Sequence, residues 1–228
     1  MKQKNNAIQE EKDYQAIFRP KEEPNDQEDL KTDEWIEAVS DFEMFSEQLQ
    51  RVIYDLHQWK WAVIALHSGI QGMMILALNV GDGLSVLQKK DAEQYLCWKK
   101  GDRSEPVPRG KLVPFLDLYK NIKDDKSPMN RSPDTQHFVP KGTQDKSIKL
   151  LHHLRNEFMH FTPKRWILNR EGLPAMASDC LEIAEFLAWE SGNIIWYEHD
   201  LKKRLKIAFT SARKSLSAVE KEYNGGTS

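Results

Sequence analysis

Residues 150–163 read L-L-H-H-L-R-N-E-F-M-H-F-T-P, and their pattern decides the fold. Leu150, Leu151, Leu154, Phe158 and Phe161 recur at helical spacing and make one apolar face. Pro163 lacks the amide hydrogen a helix interior needs, so the helix ends close to it. Three histidines, an arginine, an asparagine and a glutamate share this one segment. On a wheel of about 100° per residue, His153, Asn156 and His160 fall in one sector of about 60°, while Arg155 lies about 140° from His160.

The same helical period extends on both sides of this stretch. Ile36, Val39, Phe42, Met44, Phe45, Leu49, Val52, Ile53 and Leu56 predict a first long helix beginning at Trp35. Residues 59–80 predict a second, more apolar helix whose Ala62, Ala65, Gly69, Gly72 and Ala77 permit close approach of a neighbour. Gly81 and Gly83 supply the backbone freedom that ends it. Asp91 is placed to cap a short helix through Trp98. Residues 112–122 read as another short helix, with Leu112, Phe115, Leu116 and Tyr119 inward. Residues 123–142 carry three prolines among polar residues and read as a long exposed loop.

The segment beginning at Thr143 or Gln144 is the helix that carries the motif. Beyond Pro163, Trp166, Ile167, Leu168 and Leu173 flank Arg170-Glu171-Gly172, which suggests a small hairpin. A helix capped by Ser178 or Asp179 is expected to run to about Tyr197, followed by an amphipathic helix over 201–219. The architecture predicted is all-α: an antiparallel bundle of four to five main helices with short accessory ones. Residues 1–33 are rich in Lys, Glu, Gln, Asn and Asp and read as a disordered charged tail. The helical domain is expected over 34–222, with a disordered tail at 223–228.

With 228 residues and 39% hydrophobic content, including seven Trp and nine Phe, the chain is rich enough for a real core. A net charge of -2 gives no global pull toward nucleic acid or anionic membrane, so any RNA contact requires a local patch. Cys97 and Cys180 stand far apart and suggest no disulfide framework, which places the protein in a reducing, cytoplasmic compartment. The polar N-terminus shows no signal peptide, and the run 59–80 is broken by Lys60, His67, Ser68, Gln71 and Asn79, so no membrane association is expected.

Arg155-Asn156-Glu157-Phe158-Met159-His160 sets a polar residue beside an Arg and a His five positions after it. This resembles the R-x4–6-H motif of the HEPN superfamily, all-α domains many of which are metal-independent ribonucleases. Downstream stand Thr162-Pro163-Lys164-Arg165-Trp166, Gly172-Leu173-Pro174 and Glu185-Phe186-Leu187-Ala188-Trp189-Glu190-Ser191-Gly192-Asn193. Upstream stand Trp59-Lys60-Trp61-Ala62, Ala65-Leu66-His67 and Gln71-Gly72. The combined layout is similar to a bacterial HEPN subgroup, the pEK499-p136-like proteins, over most of the chain from about Trp35 to the last helix. The resemblance implies a symmetric homodimer whose composite cleft uses both copies of the motif. It also implies use as a toxin or in phage defence, restrained by an antitoxin or other protein partner.

These residue types suit RNA cleavage without a metal. A neutral His takes the proton from a ribose 2′-OH, and an Arg fork steadies charge on the phosphate. His160 is the expected general base, Arg155 the phosphate clamp and Asn156 the positioning group. His67, Gln71 and His153 are expected as supporting polar groups. Bland alternatives stay open: an ion pair for Arg155, a helix-end carbonyl partner for His160, and a satisfied core position for His67. The basic run Lys202-Lys203-Arg204, with Lys206, reads as a solvated face or as a phosphate track. No Asp or Cys completes a metal spacing with His152, His153 and His160, and neither metal nor cofactor is expected. No glycine-rich phosphate loop, G-x-S-x-G elbow, H-E-x-x-H pair or Cys-x-x-Cys pair is present. The rival reading is a non-catalytic HEPN-like module that binds RNA, nucleotide or a protein partner; a purely structural dimerisation domain is the third.

Overall fold

The computed structural model describes residues 30–79, 81, 83–101, 110–127, 129, 132–160, 163, 165 and 167–225. Among them are seven α-helices: α1 (Glu34–Val52), α2 (Gln58–Leu78), α3 (Lys89–Lys99), α4 (Phe115–Ile122), α5 (Gln144–Met159), α6 (Leu173–Glu185) and α7 (His199–Gly225). A 3-10 turn, Leu84–Val86, precedes α3, and a π turn, Phe186–Glu190, extends α6. The only β pairing among the described residues is an isolated bridge between Leu87 and Leu112. The chain is therefore an all-α bundle.

α1 begins where Asp33 Oδ1 accepts a hydrogen bond from the Ile36 amide at 2.8 Å. Glu34 and Glu37 in its first turn and Arg51 in its last complement the helix dipole. Its buried stripe, Ala38, Val39, Phe42, Phe45, Leu49 and Val52, faces α2 and α7. α2 is the central helix, packed against α1, α4, α5 and α6. By length and composition alone it is apolar enough to cross a membrane, yet 67% of that window is buried inside the protein. Gly69 and Gly72 let α1 close in: a Cβ on Gly69 would stand 2.9 Å from the Phe42 ring, and one on Gly72 2.8 Å from the Ala38 Cβ.

Polar clasps sit at the edges of the apolar contacts. Arg204 on α7 forks onto Glu43 of α1 at 2.8 and 2.6 Å. Arg213 forks onto Glu185 of α6 at 3.2 and 2.6 Å and donates to Ser178. Asp179 accepts from Thr143 and Ser147 of the neighbouring α5 region, each at 2.6 Å. Cys97 is exposed and Cys180 buried, and both are free thiols.

Several local expectations are corrected. Ser178 and Asp179 do not cap a helix; α6 starts at Leu173 with Pro174 in its first turn, and both side chains lie mid-helix holding α7 and α5. The expected hairpin does not form: its Leu173 side is already helical, and Ile167 is 99% exposed. The helix expected to reach Tyr197 ends at the π turn, where the Ser191 amide donates to the Phe186 carbonyl. Asp91 lies inside α3, whose N-cap is Gln88. α4 begins at Phe115, and Leu112 and Leu116 are exposed, as are Met44, Ile53 and Leu56 near α1.

The long loop is not simply exposed. Met129 and Phe138 are buried, the Phe138 amide donates to the Ile122 carbonyl, and Gln136 bonds the carbonyls of Ser191 and Glu190. α7 runs through Gly225, so residues 223–225 are helical. Residues 1–29 of the expected N-terminal tail and 226–228 of the C-terminal one lie outside the described residues.

Candidate functional site

α5 carries the motif and ends with it. The His160 amide closes the last turn on the Asn156 carbonyl at 2.9 Å, and at His160 the backbone turns to φ -99, ψ 96. The His160 side chain is therefore exposed at the helix terminus.

Arg155 lines a concavity of about 380 Å3 between α5, α1 and α2. His67, Ser68, Gln71 and Met159 line it beside Arg155, together with the carboxylates Glu34, Glu37 and Asp41. Burial is the largest influence on the Asp41 carboxyl and raises it; Glu37 adds to this, and a hydrogen bond with Ser68 opposes it.

A chain of side chains runs inward from the arginine. Arg155 Nη1 donates to Asn156 Oδ1 at 3.1 Å, Asn156 Nδ2 lies 3.2 Å from His152 Nε2, and His152 Nδ1 lies 3.0 Å from His67 Nε2. A guanidinium only donates, which fixes the direction of every later step. Asn156 Oδ1 is the acceptor, so its Nδ2 donates to His152 Nε2. His152, when neutral, then carries its proton on Nδ1 and gives it to His67 Nε2. The proton of a neutral His67 is left on Nδ1.

Both imidazoles are held neutral. Burial pushes His67 down to about 3, with the charges of Arg155 and His152 adding to it. His152 is also lowered, first by burial, then by Arg155 and His153. Phe115 supplies much of that dry environment, its ring stacked 3.8 Å from His67 and 5.2 Å from His152. A histidine so reluctant to take a proton is a poor general base near neutrality. The inner pair instead orients Asn156, and Asn156 orients Arg155.

Of the residues predicted for the site, Arg155, Asn156, His67 and Gln71 come together around this groove. Both ends of the Asn156 amide are engaged by Arg155 and His152, so it acts on the arginine rather than on His160. His153 is exposed on another face of α5, and His160 lies outside the groove lining. Sequence reasoning passed over His152, which joins the two helices. Its signal was available: His152 stands four residues before Asn156 and three before Arg155, the spacings that share a helix face.

The basic run on α7 is partly committed to structure, with Arg204 on Glu43 and Lys202 Nζ 5.8 Å from the Trp189 ring. Among the described residues no three His, Cys, Asp or Glu side chains are grouped to hold a metal ion. In comparisons with protein-family models, curated proteins and solved structures, none matches this chain.

Proposed function

We propose that this chain is a HEPN-like, metal-independent endoribonuclease that works as a homodimer, with Arg155 and His160 drawn from two copies. The observation that carries the reading is the split geometry of α5. One chain holds a guanidinium in the groove, bonded to Asn156 and through it linked to His152 and His67, and an exposed imidazole at the helix end that is not part of the groove lining. A second copy supplies the missing half.

In the proposed step the ribose 2′-oxygen bonds to phosphorus as its proton passes to the His160 imidazole. The bond from phosphorus to the 5′-oxygen breaks, and that oxygen takes a proton from the second copy's imidazolium or from water. The products are a 2′,3′-cyclic phosphate and a 5′-hydroxyl. Arg155 steadies the charge that builds on the non-bridging oxygens. In the cell such an activity suits a toxin or defence component held in check by a protein partner.

The test is cleavage of labelled RNA in chelator by the wild-type chain, His160→Ala and Arg155→Ala. Cleavage lost in both variants supports the proposal; equal cleavage by all three proteins, or none by the wild type freed of any inhibitor, refutes it. A non-catalytic binding module is the second reading; the three carboxylates that share the Arg155 groove disfavour a phosphate there and favour its protein-binding form. It predicts RNA, nucleotide or protein binding that survives His160→Ala with no cleavage.

A further inference from the structure

The start of α2, the end of α5 and the segment entering α6 enclose a separate concavity of about 470 Å3. Its walls include Leu56, Trp59, Trp61, Phe158 and Leu168, and Lys60 and Arg170 supply its charge. No carboxylate is among its described lining residues. It differs in this from the Arg155 groove and from the concavity over Gln136–Gln144 residues, where Glu182, Glu185 and Glu190 contribute.

Trp61 is 51% exposed, which leaves much of its indole open to a flat ligand. Lys60 Nζ stands 4.8 Å from the Trp61 ring centroid. Trp59 Nε1 donates to the Tyr223 hydroxyl at 2.8 Å, and the Arg170 guanidinium lies 4.5 Å over the Tyr223 ring. One phenol thus orders both an aromatic wall and a cation. Aromatic walls beside two cations, with no carboxylate among the described lining residues, suit a ligand that is planar, largely apolar and negatively charged.

We propose that this slot binds a nucleotide unit, with its base against Trp61 and its phosphate on Lys60 and Arg170. The chemistry of the slot stands by itself; only the source of the unit, an RNA strand, rests on the nuclease reading. Phe158 lies on the last turn of α5, close in sequence to His160, so a strand engaged at that histidine has a neighbouring base within the slot's side of the protein.

The experiment measures binding of the full chain to a short 2′-O-methyl oligoribonucleotide, which cannot undergo 2′-OH attack. Its abasic counterpart and adenosine 5′-monophosphate are run beside it. Trp61→Ala is expected to weaken the base-bearing oligonucleotide about tenfold. Trp61→Tyr should recover most of that loss, and the abasic strand should not respond to either change. Joint Lys60→Ala and Arg170→Ala substitution should lower the slope of log affinity against log salt by about 0.7, the value for one phosphate on a single strand. Adenosine 5′-monophosphate binding with the same Trp61 dependence supports the slot with a free nucleotide as its source. Equal binding by wild type and Trp61→Ala overturns the proposal, as does a change of oligomeric state in Trp61→Ala with binding intact, which marks a contact between copies. Because cleavage is not read, loss of the nuclease proposal leaves this result standing, and the converse holds.

Discussion

Replacing His67 with glutamine should flatten the acid sensitivity of the fold. The ring is 4% exposed, and its folded proton affinity is pushed from the ordinary 6.5 to about 3. Above pH 6.5 neither the folded nor the unfolded ring holds an extra proton. Below it the unfolded ring takes one while the folded ring does not, until the pH nears 3. Stability is therefore complete above 6.5 and is lost as pH falls. The full window corresponds to about 5 kcal/mol, of which about 2 kcal/mol is lost by about pH 5. Glutamine keeps an acceptor for His152 Nδ1 but cannot titrate; the lost stacking on Phe115 lowers stability equally at both pH values. Urea unfolding at about pH 7.5 and about pH 5, followed by tryptophan fluorescence, should show the wild type losing about 2 kcal/mol more than His67→Gln. Identical losses would refute the claim that this imidazole is held neutral inside the fold.

Asn156→Ala frees the Arg155 fork and should cut RNA cleavage by about 10- to 100-fold in a chelator-containing assay, while unfolding free energy changes by about 1 kcal/mol. Gly69→Ala drives a methyl into the Phe42 ring, which is itself fully buried, and should destabilise by about 1–3 kcal/mol in denaturant titration. Gly192→Ala combines a φ of +70 with a clash on the Asp134 carbonyl and should cost more than about 2 kcal/mol, read as a lowered melting temperature. Asp33→Ala removes the first cap of α1 and should cost about 1 kcal/mol in the same titration.

The bundle was legible because its signals are local and redundant. The stripe from Val39 to Val52 and the glycines at 69 and 72 point to the same helix pair, and the structure brings them together. Segments with weak local signals were harder to read. Residues 123–142 look polar, yet Met129 and Phe138 are buried, Phe138 against the rings of Tyr119 and Phe186. The false hairpin came from reading Arg170-Glu171-Gly172 as a turn between apolar flanks, when Pro174 favours the first turn of a helix. At the site, the helical wheel grouped His153 with Asn156 and His160, whereas the structure uses His152. The deciding partner is His67, 85 residues away, and no local pattern encodes that pairing.

Tyr223 sits close to the end of the last helix, yet its hydroxyl holds a tryptophan in the opening turn of the second. The C-terminal end is thus a latch. A protease that nicks the chain just ahead of this tyrosine would spare the middle of the bundle while unfastening Trp59 and Arg170 together, so clipping there should loosen their surroundings before it changes whether the protein folds.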